Sequence, residues 1–168
     1  MNKSNFIYRQ RQKLKYHFSR SFIDKQIAEI NKNQKQVIKR GKGFYIEAID
    51  LTLPSKHFER IITRFDLFIS NAKDLNGKYY FNDNYLYFEW NIFKVIIDSV
   101  SDLFIINEIF IQLCYQFILP NNKPINIIDV GMNVGFASLF FSNFQNVQNV
   151  IAYEPFKPTY ELAIKNFQ

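Results

Sequence analysis

The chain has 168 residues, 48% of them apolar and 18% aromatic, with 21 Lys and Arg against 15 Asp and Glu. That length admits one ordinary domain with an appendage, and the composition excludes a disordered, low-complexity or fibrous chain. A lone cysteine, Cys114, excludes an internal disulfide, and with His17 and His57 remote from it in sequence no metal site is expected. The longest apolar stretch, Leu103 to Leu119, is interrupted by Asn107, Glu108, Gln112 and Gln116, which suits a core helix and not a membrane span. The N-terminus carries no secretory pattern, so the cytoplasm is the expected compartment.

Residues 1–43 read as a basic helical arm. Residues 1–40 hold 11 Lys and Arg and 2 Asp and Glu, so the positive charge belongs to this leader and the rest of the chain is mildly acidic. The bases are interleaved with Phe6, Tyr8, Tyr16, Phe18 and Phe22. The first reading is a solvated arm ending in an amphipathic helix; contact with nucleic acid or an anionic membrane ranks second. Ser21 and Asp24 have capping-box spacing, and Ile23, Ile27, Ile30, Val37 and Ile38 fall near one helical stripe. Gly41 and Gly43 bracket Lys42 and predict a hinge.

Residues 44–101 read as an α+β subdomain. Phe44 to Leu53 is expected to be extended, and Pro54-Ser55 opens a helix carrying Phe58, Ile61, Ile62, Phe65 and Ile69 at three- and four-residue spacing, with His57 at the surface of its first turn. Tyr79–Phe81 and Tyr85–Trp90 flank Asn82-Asp83-Asn84 and predict a hairpin, with a further strand through Phe93–Ile97. The aromatics there read as core and cross-strand pairs. Asp98 to Asp102 breaks the pattern, and Leu103 to Phe117 reads as a third helix.

After Pro120–Pro124 the pattern changes to α/β. Ile125–Val130 suits a strand of a parallel sheet buried on both faces; it enters Gly131-Met132-Asn133-Val134-Gly135, and Phe136–Phe144 then reads as a helix. Val147–Tyr153 is a second strand, closed by Glu154-Pro155, and Thr159–Phe167 a second helix with Leu162, Ile164 and Phe167 on its apolar side. This is a βαβ unit with its next helix. Glycines at positions 131 and 135 let a ligand lie against the backbone, the first amides of the helix face its polar group, and Glu154 can accept two hydrogen bonds from a ribose diol. Asn133 stands where a pyrophosphate-binding loop has its second glycine, so a nucleoside cofactor without pyrophosphate is favoured, S-adenosyl-L-methionine being the common one. Asp129 adds a carboxylate suited to an ammonium and a sulfonium. Each residue also has an ordinary reading: a tight turn for the glycines, a helix cap for Asp129, a solvated strand end for Glu154. Order and spacing together favour the cofactor.

Ile127-Ile128-Asp129-Val130-Gly131-Met132-Asn133-Val134-Gly135-Phe136, followed by Ala152-Tyr153-Glu154-Pro155-Phe156, Thr159-Tyr160-Glu161-Leu162 and Lys165-Asn166, resembles the opening of the FkbM family of S-adenosylmethionine-dependent methyltransferases. Phe104–Tyr115 is similar to the family's approach segment, so the resemblance covers roughly residues 102–168. It implies a Rossmann-like methyltransferase sheet, methyl transfer to a hydroxyl of a sugar or natural-product acceptor, and cofactor contacts from Asp129, Gly131, Met132, Asn133, Gly135, Glu154, Pro155 and Phe156. Met132 departs from the family's usual alanine, a change tolerated if its side chain points away from the cofactor. The expected fold is thus α/β, an incomplete Rossmann-like sheet over residues 102–168 preceded by helices and a β-hairpin. Because residues 126–168 hold only two of the family's strands, the resemblance expects the sheet to be continued elsewhere, in a longer product or a partner chain. It expects no turnover from this chain alone, and it leaves the general base unnamed. Cys114 has no partner base and reads as a small apolar group.

Overall fold

A computed structural model describes residues 19–32, 36–116 and 123–168. The fold is mixed α/β, in two compact units that divide between Asp66 and Leu67. The interleaved aromatics Phe6, Tyr8, Tyr16 and Phe18 lie outside the described residues.

In the first unit, helix α1 (Arg20–Ile30) begins at Ser19, whose Oγ accepts the Phe22 N–H at 3.3 Å; the cap is therefore Ser19 and not Ser21. The helix stops where Asn31 turns the chain: its Oδ1 accepts the Gln36 and Val37 amides at 2.8 and 2.9 Å, and its Nδ2 donates to the Val37 carbonyl at 2.8 Å. Val37 and Ile38, expected on the helical stripe, instead lie in strand β1 (Val37–Arg40), where β-branched side chains are readily accommodated. Strand β2 (Gly43–Ile46) pairs antiparallel with β1 in the register Arg40↔Gly43, so Gly41-Lys42 is a hairpin turn inside a sheet and not a hinge. Gly41 supplies the positive φ of +55° that this turn requires.

The expected extended run breaks at a 3₁₀ turn (Glu47–Ile49), after which β3 (Leu51–Pro54) completes the three-stranded sheet. Helix α2 (Ser55–Ile61) packs on β2 and β3 with Phe58 fully buried and stacked on Phe44, ring centroids 4.4 Å apart. His57, expected at the surface, is buried with it, because the turn that carries Phe58 inward carries its neighbour too.

Helix α3 (Phe65–Asp74) spans the division. In the second unit, β4 (Lys78–Asn82), β5 (Tyr85–Trp90) and β6 (Phe93–Ile97) form an antiparallel sheet, with the expected hairpin at Asp83-Asn84. Both turn residues have positive φ, 47° and 67°, a conformation that Asn and Asp tolerate better than other residues with a side chain. Tyr79, Phe88, Trp90 and Phe93 are core, while Tyr80 and Tyr87 form a half-buried cross-strand pair at 5.3 Å on the other face. Tyr79 stacks between Phe68 (3.9 Å) and Phe88 (4.3 Å), and the row continues through Trp90 (4.9 Å) and Phe110 (4.9 Å) to Phe140 (5.7 Å).

The third expected helix is shorter and irregular. Helix α4 (Val100–Ile106) is followed by a π-helical turn over Asn107–Ile111. Its polar side chains are linked: Asn71 donates to the Leu103 carbonyl (2.9 Å), Asn107 donates to Asn71 Oδ1 (3.2 Å), and Gln112 donates to Asn107 Oδ1 (2.7 Å). The antiparallel sheet belongs to the same compact unit as the motif segment.

Strands β7 (Ile125–Val130) and β8 (Val147–Tyr153) are parallel and form a two-stranded sheet, joined through helix α5 (Phe136–Ser142) and followed by helix α6 (Lys157–Asn166). The expectation of burial on both faces fails. Ile128, Val130, Ile151 and Tyr153 are 66, 81, 47 and 58% exposed, because α5 packs on β7 and β8 from one side and no described element covers the other.

Candidate functional site

The βαβ unit brings its motif residues to the carboxyl ends of two adjacent parallel strands, where open α/β sheets bind ligands. The loop leaving β7 is stitched to the end of β8: the Gly131 and Met132 amides both donate to the Tyr153 carbonyl, at 2.8 and 3.0 Å. Glu154, the next residue, grips the same loop. Its Oε2 accepts the Asn133 N–H at 3.1 Å and its Oε1 accepts the Phe156 N–H at 2.8 Å. A carboxylate offers about four acceptor positions, so two remain for hydroxyl donors from a ligand. The half-buried setting of Glu154 leaves it reachable. The side chain is therefore oriented before any ligand arrives, which lowers the entropic cost of binding.

The two glycines do different work. Gly131 has φ +82° and nothing within 4 Å of where a Cβ would stand, so open space lies before the backbone at the strand tip. Gly135 has φ +88°, but a Cβ there would stand 2.6 Å from the Phe167 ring. Its missing side chain makes room for Phe167 at the end of α6. Asn133 takes the left-handed conformation at φ +53°, as Asn tolerates, and its exposed side chain lies beside the open strand tip.

Met132 is buried, so its side chain is a core contact and only its backbone faces the loop exterior. Asp129 Oδ2 accepts the Ser138 hydroxyl at 2.7 Å, tying the strand end to the third residue of α5. Pro155 is exposed and Phe156 half-buried directly before α6. Helix α5 has seven residues, and its first intrahelical bond runs from the Leu139 amide to the Gly135 carbonyl at 3.0 Å.

Three residues shape the loop through contacts that the sequence did not assign them: Ser138, Asn166 and Phe167. Asn166 is buried although polar, with Oδ1 accepting the Ile96 amide at 2.9 Å and Nδ2 donating to the Val134 carbonyl at 2.8 Å. The stripe expected on α6 was Leu162, Ile164 and Phe167, whereas Ala163 and Asn166, three apart, are the buried pair. A search for apolar periodicity passes over an asparagine by construction. Cys114 is half-buried, and desolvation together with the nearby Glu108 pushes its thiol pKa up, the opposite of nucleophile activation. Among the described residues no group of three or more His, Cys, Asp or Glu could hold a metal ion, and no helix is long and apolar enough to cross a membrane.

The geometry defines a class, a βαβ unit with a preset carboxylate beside a glycine loop. Comparison with protein-family models, curated proteins and solved structures finds no match to the chain.

Proposed function

We propose that residues 102–168 form the cofactor side of a Rossmann-like, S-adenosyl-L-methionine-dependent methyltransferase of the FkbM kind. Its reaction class is transfer of a methyl group to a hydroxyl of a sugar or other natural-product acceptor. The observation that carries the proposal is Glu154, held by the Asn133 and Phe156 amides at the joint tip of two parallel strands, in a loop whose Gly131 has open space before its backbone. Glu154 would take the ribose diol, and the backbone of Gly131 to Asn133 would lie along the cofactor. Asp129 would contribute negative charge for the ammonium and sulfonium while it positions Ser138. The described residues supply one wall of such a pocket, and methyl transfer needs the acceptor oxygen held in line on the other.

A calorimetric titration of the full chain with S-adenosyl-L-methionine tests this. Saturable binding weaker than micromolar that Glu154→Ala removes is expected. No saturable heat at any attainable concentration, or heat indifferent to that substitution, overturns it.

A second reading is favoured by one observation. Among the described residues β7 pairs with β8 alone, so its other edge is a template for a strand of a second chain, whose covering elements would also bury the exposed Ile128, Val130, Ile151 and Tyr153. Sedimentation of the purified chain, alone and in lysate, separates the two: a monomer in both counts against the second reading. A role for the basic arm in binding nucleic acid or an anionic membrane rests mostly on residues 1–18, outside the described residues.

A further inference from the structure

We infer that Asn166 is a positioning residue for the cofactor loop: one buried amide clamps that loop to the antiparallel sheet, an inference that rests on the cofactor reading of the loop. Its Nδ2 donates to the Val134 carbonyl in the middle of the Gly131–Gly135 turn (2.8 Å), and its Oδ1 accepts the Ile96 N–H of β6 (2.9 Å). The side chain is 5% exposed, so water cannot replace either partner, and both hydrogen-bonding ends of the amide are in use.

Its neighbours on α6 reinforce the clamp from either side. Phe167 fills the space left by the missing side chain of Gly135. The Lys165 ammonium donates to the Tyr85 hydroxyl of β5 and sits 4.4 Å from the centre of that ring. Three consecutive residues therefore tie the end of α6 to both the loop and the sheet. Val134 is fixed from behind by Asn166 while Asn133 is fixed from the front by Glu154. The two tethers grip adjacent residues, on the peptide units either side of the Asn133–Val134 bond, so the presentation of the Gly131–Asn133 backbone depends on both. Leucine at 166 would match the helix stripe, but it would leave the Val134 carbonyl and the Ile96 amide buried without partners.

Asn166→Asp divides the clamp. The carboxylate still accepts from Ile96 but has no hydrogen to give Val134, and it sets an anionic oxygen against a carbonyl. Site-resolved amide exchange on the full chain should then show the Asn133 and Gly135 amides exchanging about tenfold faster, with Ile96 and the β7–β8 amides unchanged. The dissociation constant for S-adenosyl-L-methionine should rise about tenfold. Asn166→Ser carries the same test if the aspartate variant does not fold, and failure of both to fold overturns the inference, as does uniform acceleration across the unit. Unchanged loop exchange in a folded variant overturns it too, whether or not the cofactor binds. Faster loop exchange in a chain that binds no S-adenosyl-L-methionine upholds the clamp and overturns the proposed cofactor instead.

Discussion

Glu154 has two kinds of work available to one carboxylate, and the geometry separates them. Accepting the Asn133 and Phe156 amides is structural, whereas the unused lone pairs are open to a ligand. The glycines divide in the same manner, which yields a paired prediction. Both Gly131→Ala and Gly135→Ala force a side chain into left-handed backbone, at a cost of about 1–2 kcal/mol. Only Gly135→Ala also drives a Cβ into the Phe167 ring. Denaturant unfolding should therefore rank Gly135→Ala as the less stable variant. Cofactor titration should show the larger affinity loss for Gly131→Ala, whose new methyl projects into the open space. The reverse ranking in both measurements would mean that the ligand side of the loop has been misassigned. At this scale the sequence was legible where chemistry is local. Asp129, Gly131 and Glu154 could be picked out because a strand end, a turn and a strand end have fixed roles in a βαβ unit. Gly135 was picked out with them, but what it and Asn166 touch, Phe167 in one case and Ile96 in the other, was not readable, because it is decided by how α6 packs.

Two elements of the second unit carry a measurable imperfection. The Tyr79 hydroxyl is buried and has no hydrogen-bond partner, and desolvation drives its pKa far above the ordinary tyrosine value. Tyr79→Phe keeps the stack between Phe68 and Phe88 and removes the unsatisfied oxygen, so thermal or denaturant unfolding should show a gain of about 1 kcal/mol. A loss of that size would mean that the hydroxyl has a partner in solution. At the start of α4, Asp102 Oδ2 accepts the Asp98 and Ser99 amides, each at 2.8 Å, yet burial dominates and pushes its carboxyl up to about 6. The native state thus holds this proton more tightly than the unfolded chain. The contribution is full below the unfolded value of 3.8 and is lost as pH rises through about 6, a span on the order of 3 kcal/mol. The stability of the protein relative to Asp102→Asn should fall from pH 4 to pH 7; a relative stability that rises over this range would contradict the burial argument. The antiparallel strands were readable from alternation and from Asn82-Asp83-Asn84. The π-helical turn was not; it coincides with a hydrogen-bonded chain from Asn71 through Asn107 to Gln112, and Asn71 is remote in sequence.

Taken whole, the chain pairs a well-filled aromatic core with a sheet face that nothing described covers. Phe68, Phe88 and Phe136 are among its fully buried side chains, while Val130 is 81% exposed. Burial sets the energetic consequence of substitution. Ile128→Thr and Val130→Thr should each change the unfolding free energy of the isolated chain by no more than about 0.5 kcal/mol. A loss of 2 kcal/mol or more would show that the face is covered in solution. The apolar run Ile125–Val130 suggested a strand buried on both sides because composition registers how apolar a strand is and not how many neighbours it has. The central claim concerns where a nucleoside cofactor lies, and amide chemical shifts recorded during titration with S-adenosyl-L-methionine address it most directly. The account predicts perturbations concentrated at Gly131, Met132, Asn133 and Phe156 that vanish with Glu154→Ala. Perturbations elsewhere in the chain, or none at all, would contradict it.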